Sequence, residues 1–384
     1  MDLFDRVDRS DSTPKLAIES RFDFLNRSSR EDIGKVRSLL EELVENHPES
    51  KEMISRFRSG DDRHFRSAEF ELLLFGSLRS RGFEVESHPA MPNGVATQPD
   101  FRVTTPTGEA FYLEAVVASE DSDDSTEHPL VATTLDVFTT HSHENFCLMV
   151  RTSGIPRTQP SRRKLINATL AWLDGLDPNR VQDSISDTGY ESRPEFEWQH
   201  EDFKVFLSAV PLEEGLRGRS KRLLAVQFGH PGPVDSWSAI RDAILFKGRR
   251  YGTLDAPLVI AVNCVNRHLS RMDEMQALFG QEQFSISTLD PDAEPVLSRA
   301  PNGAWLGRNG PQLTRVSGAW VFSNLSTYSV ARAAPTLYLN PWASHPIPSE
   351  MKDYSYAAAE NGRMSWHVME RFSQSMNISE SWLS

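Results

Sequence analysis

Two carboxylates with thirteen residues between them, Asp100 and Glu114, carry the strongest chemical signal in this chain. Gln98 to Thr104 (QPDFRVT) and Glu109 to Ser119 (EAFYLEAVVAS) read as the strands of a hairpin closed by Pro106-Thr107-Gly108. A turn centred on Thr107 opposes residues whose numbers sum to 214. Asp100 then faces Glu114, with Cβ atoms about 4.5–5.5 Å apart. Side chains alternate along a strand, so Phe101, Val103, Phe111, Leu113, Ala115 and Val117 fill the opposite face, which is wholly apolar and must be core. Two acids side by side repel each other, and a divalent cation between them removes the conflict.

The elements that position this pair follow from periodicity. Arg66 to Arg81 (RSAEFELLLFGSLRSR) has helical spacing and is stopped by Gly82. Glu71, Phe75, Leu78 and Gly82 lie at i, i+4, i+7 and i+11, which puts a third carboxylate, Glu71, on the stripe facing the sheet. A carboxylate there is costly unless paired or metal-bound. Glu69 is the other candidate, roughly 200° round the helix at about 100° per residue. Phe83 to His88 (FEVESH) reads as a short strand between helix and hairpin.

Pro99-Asp100, thirteen residues, then Glu114-Ala115-Val116, behind a Glu-bearing helix that ends in Gly-Phe, resembles the PD-(D/E)xK nuclease superfamily, the restriction-endonuclease-like fold. The resemblance spans about 55 of the 384 residues. It implies an α/β fold with a core of helix, three-stranded mixed sheet, helix and strand, elaborated by further strands and helices. It also implies a metal site in which Asp100, Glu114 and the Ala115 carbonyl hold Mg2+ or Mn2+, with Glu71 orienting a water or helping to hold a second ion. The chain departs from the family at Val116, where the lysine of the motif would stand. That position is on the acid face, so the vacancy is in the site itself. Three readings are open. Gln98 opposes Val116 by the same count and could orient the attacking water. Lys247, on a helix read over Ser236–Arg250, could reach in from another element, as in family members whose lysine has migrated. Otherwise the fold serves binding alone.

Composition is that of a globular chain, with 39% hydrophobic and 25% charged residues. No apolar run approaches the ~20 residues that span a bilayer, and the N-terminus has no apolar signal core. Cys147 and Cys264 sit in apolar strand-like runs as small hydrophobes, and a reducing cytoplasm is the natural location. A net charge of −13 argues against non-specific coating of nucleic acid. Local basic clusters remain: Arg151, Arg157, Arg162, Arg163 and Lys164; Arg217, Arg219, Lys221 and Arg222; Lys247, Arg249 and Arg250. Lys247-Gly248-Arg249-Arg250-Tyr251-Gly252 suits either phosphate contact or a helix C-terminal cap. His141-Ser142-His143-Glu144 resembles a metal motif but sits at a helix–strand boundary without partners.

Along the chain, residues 1–58 read as a loose polar tail and a helical segment, and 59–153 as the nuclease-like core, closed by a helix over Leu130–His141 and a strand over Asn145–Arg151. An acidic loop, Glu120 to Ser125, connects the hairpin to that helix. Thr158–Leu176 reads as helix, 177–199 as loop, and Gly229–Pro233 as a turn. Residues 154–345 read as an α/β extension of the same sheet, and 346–384 as a C-terminal helix (Ser365–Gln374) and tail. The expected function is a metal-dependent nuclease acting on DNA rather than RNA, with a homodimer as one way to cut both strands. The alternative is a silent member of the fold that binds nucleic acid or a protein.

Overall fold

The helix that carries Glu71 begins at Asp62, a turn earlier than its periodicity predicts, because the Asp61 side chain accepts the Arg63 amide at 2.8 Å. It ends as expected: Gly82 takes φ +81° and the Phe83 amide returns to the Leu78 carbonyl at 3.1 Å. Every residue from Ala68 to Leu78 is buried, so this is a central helix and not an amphipathic one.

The computed structural model describes residues 2–118, 128–220, 222–228, 235–265, 269–285, 296–360 and 363–383. Its helices are α1 (Arg21–Arg27), α2 (Glu31–Asn46), α3 (Ser50–Phe57), α4 (Asp62–Ser80), α5 (Pro129–Thr140), α6 (Arg162–Asp174), α7 (Pro178–Thr188), α8 (Ser236–Gly248) and α9 (Arg271–Phe279). Its strands are β1 (Glu84–Ser87), β2 (Phe101–Thr104), β3 (Ala110–Ala118), β4 (Phe146–Ser153), β5 (Glu195–His200), β6 (Phe203–Pro211), β7 (Leu224–Phe228), β8 (Leu258–Cys264), β9 (Glu282–Ser285), β10 (Val296–Arg299), β11 (Leu306–Gly307), β12 (Gly310–Pro311), β13 (Val316–Ser323), β14 (Thr336–Leu339), β15 (Tyr356–Glu360) and β16 (Arg363–His367). The acidic loop Glu120–Ser125, the Gly229–Pro233 turn and Lys221 lie outside the described residues. No described helix is long and apolar enough to cross a membrane.

The chain divides into two compact units. The first comprises Met1–Arg9, Ser29–Glu120 and Val234–Ser384, and the second comprises Ser10–Ser28 and Asp121–Pro233. The first is built on a mixed sheet of order β1-β2-β3-β8-β13-β14-β15-β16. The meander β1-β2-β3 is antiparallel, and β3, β8 and β13 run parallel. All seven residues of β8 are buried, as expected for a parallel strand covered on both faces. One cover is α4, whose Phe70 meets Phe322 of β13 with ring centroids 5.2 Å apart. On the other side Ile240 and Ile244 of α8 and Ala277 and Leu278 of α9 join Tyr112, Ile260, Val262 and Val321 in one core. Each Ile, Val or Leu among them contributes about 1.5–3 kcal/mol by leaving water.

The second unit has its own sheet, β5-β6-β4-β7. In β4 and β6 alternate residues are buried, and Phe146, Leu148, Val150, Val205 and Leu207 pack with Leu135 and Phe138 of α5 and Leu165 and Leu173 of α6. The Asp136 carboxylate accepts the Ala17 amide at 2.6 Å, which ties the Ser10–Ser28 segment to α5.

Several expectations need correction. The helix over Leu130–His141 and the strand over Asn145–Arg151 both form, as α5 and β4, yet they belong to the second unit. The place beside β3 is filled by β8, preceded in sequence by α8. Residues 59–153 therefore do not close a core, and 154–345 do not all extend one sheet, because β5, β6 and β7 join β4 instead. The segment 177–199 contains α7 and β5, with Asp177 capping the helix and Pro178 opening it. The expected C-terminal helix is absent; β15 and β16 pair antiparallel there, flanking the hairpin-favouring dipeptide Asn361-Gly362, which lies outside the described residues. The N-terminal tail is anchored, with Leu3 and Phe4 buried and the Arg58 guanidinium donating to the Leu3 carbonyl at 3.0 Å.

Candidate active site

The β2–β3 register is the one obtained by counting: Phe101 pairs with Leu113, Arg102 with Tyr112 and Val103 with Phe111. Asp100 lies one residue before the ladder and continues it through side chains. Its amide donates to Glu114 Oε2 at 3.3 Å, and its Oδ2 accepts the Ala115 amide at 2.7 Å. The two acids therefore meet across the hairpin. Phe101, Val103, Phe111 and Leu113 are buried on the opposite face, as their alternation requires.

The acid face is covered. Glu114 is only 1% exposed, beneath α8 and the segment that follows it. Lys247, in the last turn of α8, donates its ammonium to Glu114 Oε1. Tyr251 donates its hydroxyl to Oε2 of the same carboxylate. Two residues back along β3, the Tyr112 hydroxyl reaches Asp255 Oδ1 at 2.9 Å, so the segment 247–255 is held to this face at several points.

Glu71 is buried as its place on the stripe predicts, but Arg56 of α3 grips both of its oxygens, each at 2.5 Å. It enters the cluster through its charge and not as an open ligand. Glu69, equally buried, is engaged elsewhere, where its Oε1 accepts the amide and hydroxyl of Thr327 at 2.8 and 2.7 Å.

Three carboxylates here face two cations, Lys247 and Arg56, which leaves one surplus negative charge. It falls on Asp100. Burial pushes that carboxyl up to about 8, with Glu114 and then Glu71 adding to the rise against the Ala115 amide and Lys247. Asp100 Oδ1 accepts no hydrogen bond among the described residues, so a proton or a metal cation has a place to bind. The donors at hand are Asp100, Glu114 and the Ala115 carbonyl, all oxygen, which suits Mg2+ or Mn2+. Among the described residues, no group of three or more His, Cys, Asp or Glu side chains is placed to share one ion.

Gln98 is exposed and precedes β2, so the strand position that would aim it across at Val116 does not form. His141 and His143 do not converge on a site. His141 Nδ1 lies 2.9 Å from the Val137 carbonyl, while His143 accepts the Asn145 amide at 3.1 Å and sits 3.2 Å from Asp174. Arg151 stacks on Phe206 in the second unit, its guanidinium 4.0 Å from the ring centre. Cys264 is buried and Cys147 half-buried.

No protein-family model, curated protein or solved structure matches this chain.

Sequence reasoning missed Tyr251 and Arg56. Tyr251 lies beyond the end of α8, among basic residues that resemble an ordinary helix cap. Arg56 had no signal, because nothing local distinguishes it from the other arginines of residues 1–66.

Proposed function

We propose that the first unit is a metal-dependent nuclease of the PD-(D/E)xK kind, acting on DNA. The observation that carries this reading is the ammonium of Lys247 on Glu114, a charge delivered by a helix to the place where Val116 leaves the motif without one. The order α4, β1, β2, β3, α8, β8, with β8 parallel to β3, supports it, because helix, meander, helix and parallel strand is the arrangement the motif is built on. Mg2+ or Mn2+ bound at Asp100 and Glu114 would supply Lewis acidity, lowering the pKa of water and shielding charge on phosphorus. Asp100 would serve as a ligand in its carboxylate form. Lys247 pairs with Glu114 and stands ready to orient the nucleophile or steady the phosphate. Arg56 holds Glu71 as a fixed negative charge behind the pair.

The test is cleavage of plasmid and of single-stranded DNA by the purified chain with Mg2+ or Mn2+, against Asp100→Ala and Lys247→Met. Metal-dependent cleavage lost in both variants supports the reading, and cleavage that survives Asp100→Ala sinks it. Failure to cut with any metal selects a silent fold that binds nucleic acid or protein.

A further inference from the structure

The geometry assigns Tyr251 as a positioning residue that makes Glu114 a one-oxygen metal ligand, leaving only Oε1, the oxygen beside Lys247, open to a cation. This inference rests on the metal site proposed above. Each carboxylate oxygen accepts about two hydrogen bonds or ligands. Oε2 already accepts two, from the Tyr251 hydroxyl and from the Asp100 amide at 3.3 Å. Oε1 accepts one, from Lys247, and so retains one site. A cation held by Asp100 Oδ1 and Glu114 Oε1 therefore has the lysine as its immediate neighbour.

The surroundings of Tyr251 hold its phenol in that position. It is fully buried, packed in the core beside Ile244 and Ile260. Its backbone is fixed from outside: Asn93 Nδ2 donates to the carbonyls of Tyr251 and Thr253, both at 2.8 Å. Gly252 between them has φ +64°, and a Cβ there would meet Asn93 Nδ2 at 3.3 Å, so the turn that aims the phenol requires glycine.

A carboxylate confined to one oxygen suits Mg2+, whose octahedral shell takes single oxygens. Ca2+ accepts a carboxylate through both. Removing the hydroxyl frees Oε2 and relaxes that choice. The test follows free Mn2+ by electron paramagnetic resonance during titration of the full chain and of Tyr251→Phe, Asn93→Ala and Glu114→Gln. Mg2+ and Ca2+ serve as competitors, with thermal melts recorded alongside. Expected are Mn2+ binding by the unaltered chain, its loss in Glu114→Gln, and about tenfold weaker binding in Tyr251→Phe, with the competition shifted toward Ca2+. Asn93 is exposed, so Asn93→Ala keeps the fold and moves both readouts the same way by less; it decides alone if Tyr251→Phe does not fold. An unchanged Ca2+ to Mg2+ preference in the folded variants overturns the assignment, whatever happens to affinity, and leaves the nuclease reading standing. No Mn2+ binding by the unaltered chain removes the metal site and the role of Tyr251 together.

Discussion

Asp100 holds the balance of charge in this site. Its carboxyl, raised to about 8 by burial and by Glu114, binds a proton in the folded chain that the unfolded chain releases near 4. Between those values the native state carries more protons. The metal-free protein therefore loses stability as pH rises from about 4 to 8. Asp100→Asn removes that slope, and melting curves across this range should show the variant as the more stable protein at pH 8. Metal must displace the same proton, so Mg2+ or Mn2+ affinity should rise about tenfold per pH unit up to about pH 8 and then level, measured by titration calorimetry. Lys247 acts in the opposite sense. Lys247→Met leaves Glu114 buried without its cation and should cost about 3–5 kcal/mol in the metal-free chain. Added Mg2+ should recover part of that loss in a thermal melt.

At the scale of elements, α4 carries two buried glutamates with different employment. Glu69→Ala strips the Thr327 amide and hydroxyl of their acceptor and should cost roughly 2–3 kcal/mol while leaving metal affinity unchanged. Glu71→Ala frees the Arg56 guanidinium beside Asp100, lowers the Asp100 pKa and flattens the pH slope. Chemical denaturation at two pH values separates these outcomes. Local pattern made α4 and the β2–β3 hairpin legible: Gly82 ends the helix, the Pro106-Thr107-Gly108 turn sets the register, and a single count places Asp100 against Glu114. The same kind of pattern misassigned β4. Its apolar residues suit a sheet partner of β3 as well as they suit β6, and strand sequences do not state which sheet they join. Residues 365–374 read as a helix because their apolar spacing fits one, whereas pairing of Arg363–His367 with Tyr356–Glu360 decides the matter. Tyr251 escaped notice among basic residues that resemble an ordinary helix cap.

For the whole molecule, two units with separate cores should unfold as two calorimetric transitions. Leu148→Ala, fully buried in the second unit, should lower one transition by the equivalent of about 2–5 kcal/mol. Mn2+ should raise the other alone, because a ligand stabilises only the unit that binds it. A single transition shifted by both would contradict separate cores.

Glu114 and Lys247 are 133 positions apart, and most of the interval is the segment Asp121–Pro233. On the ribosome, the acid hairpin therefore emerges on the order of ten seconds before the lysine that neutralises it. Until then Glu114 has no cation to accompany it out of water, and the sheet around it cannot close. The later-encoded residues of the second unit can assemble during that pause, so the chain's order of synthesis makes the chemical centre mature after the second unit.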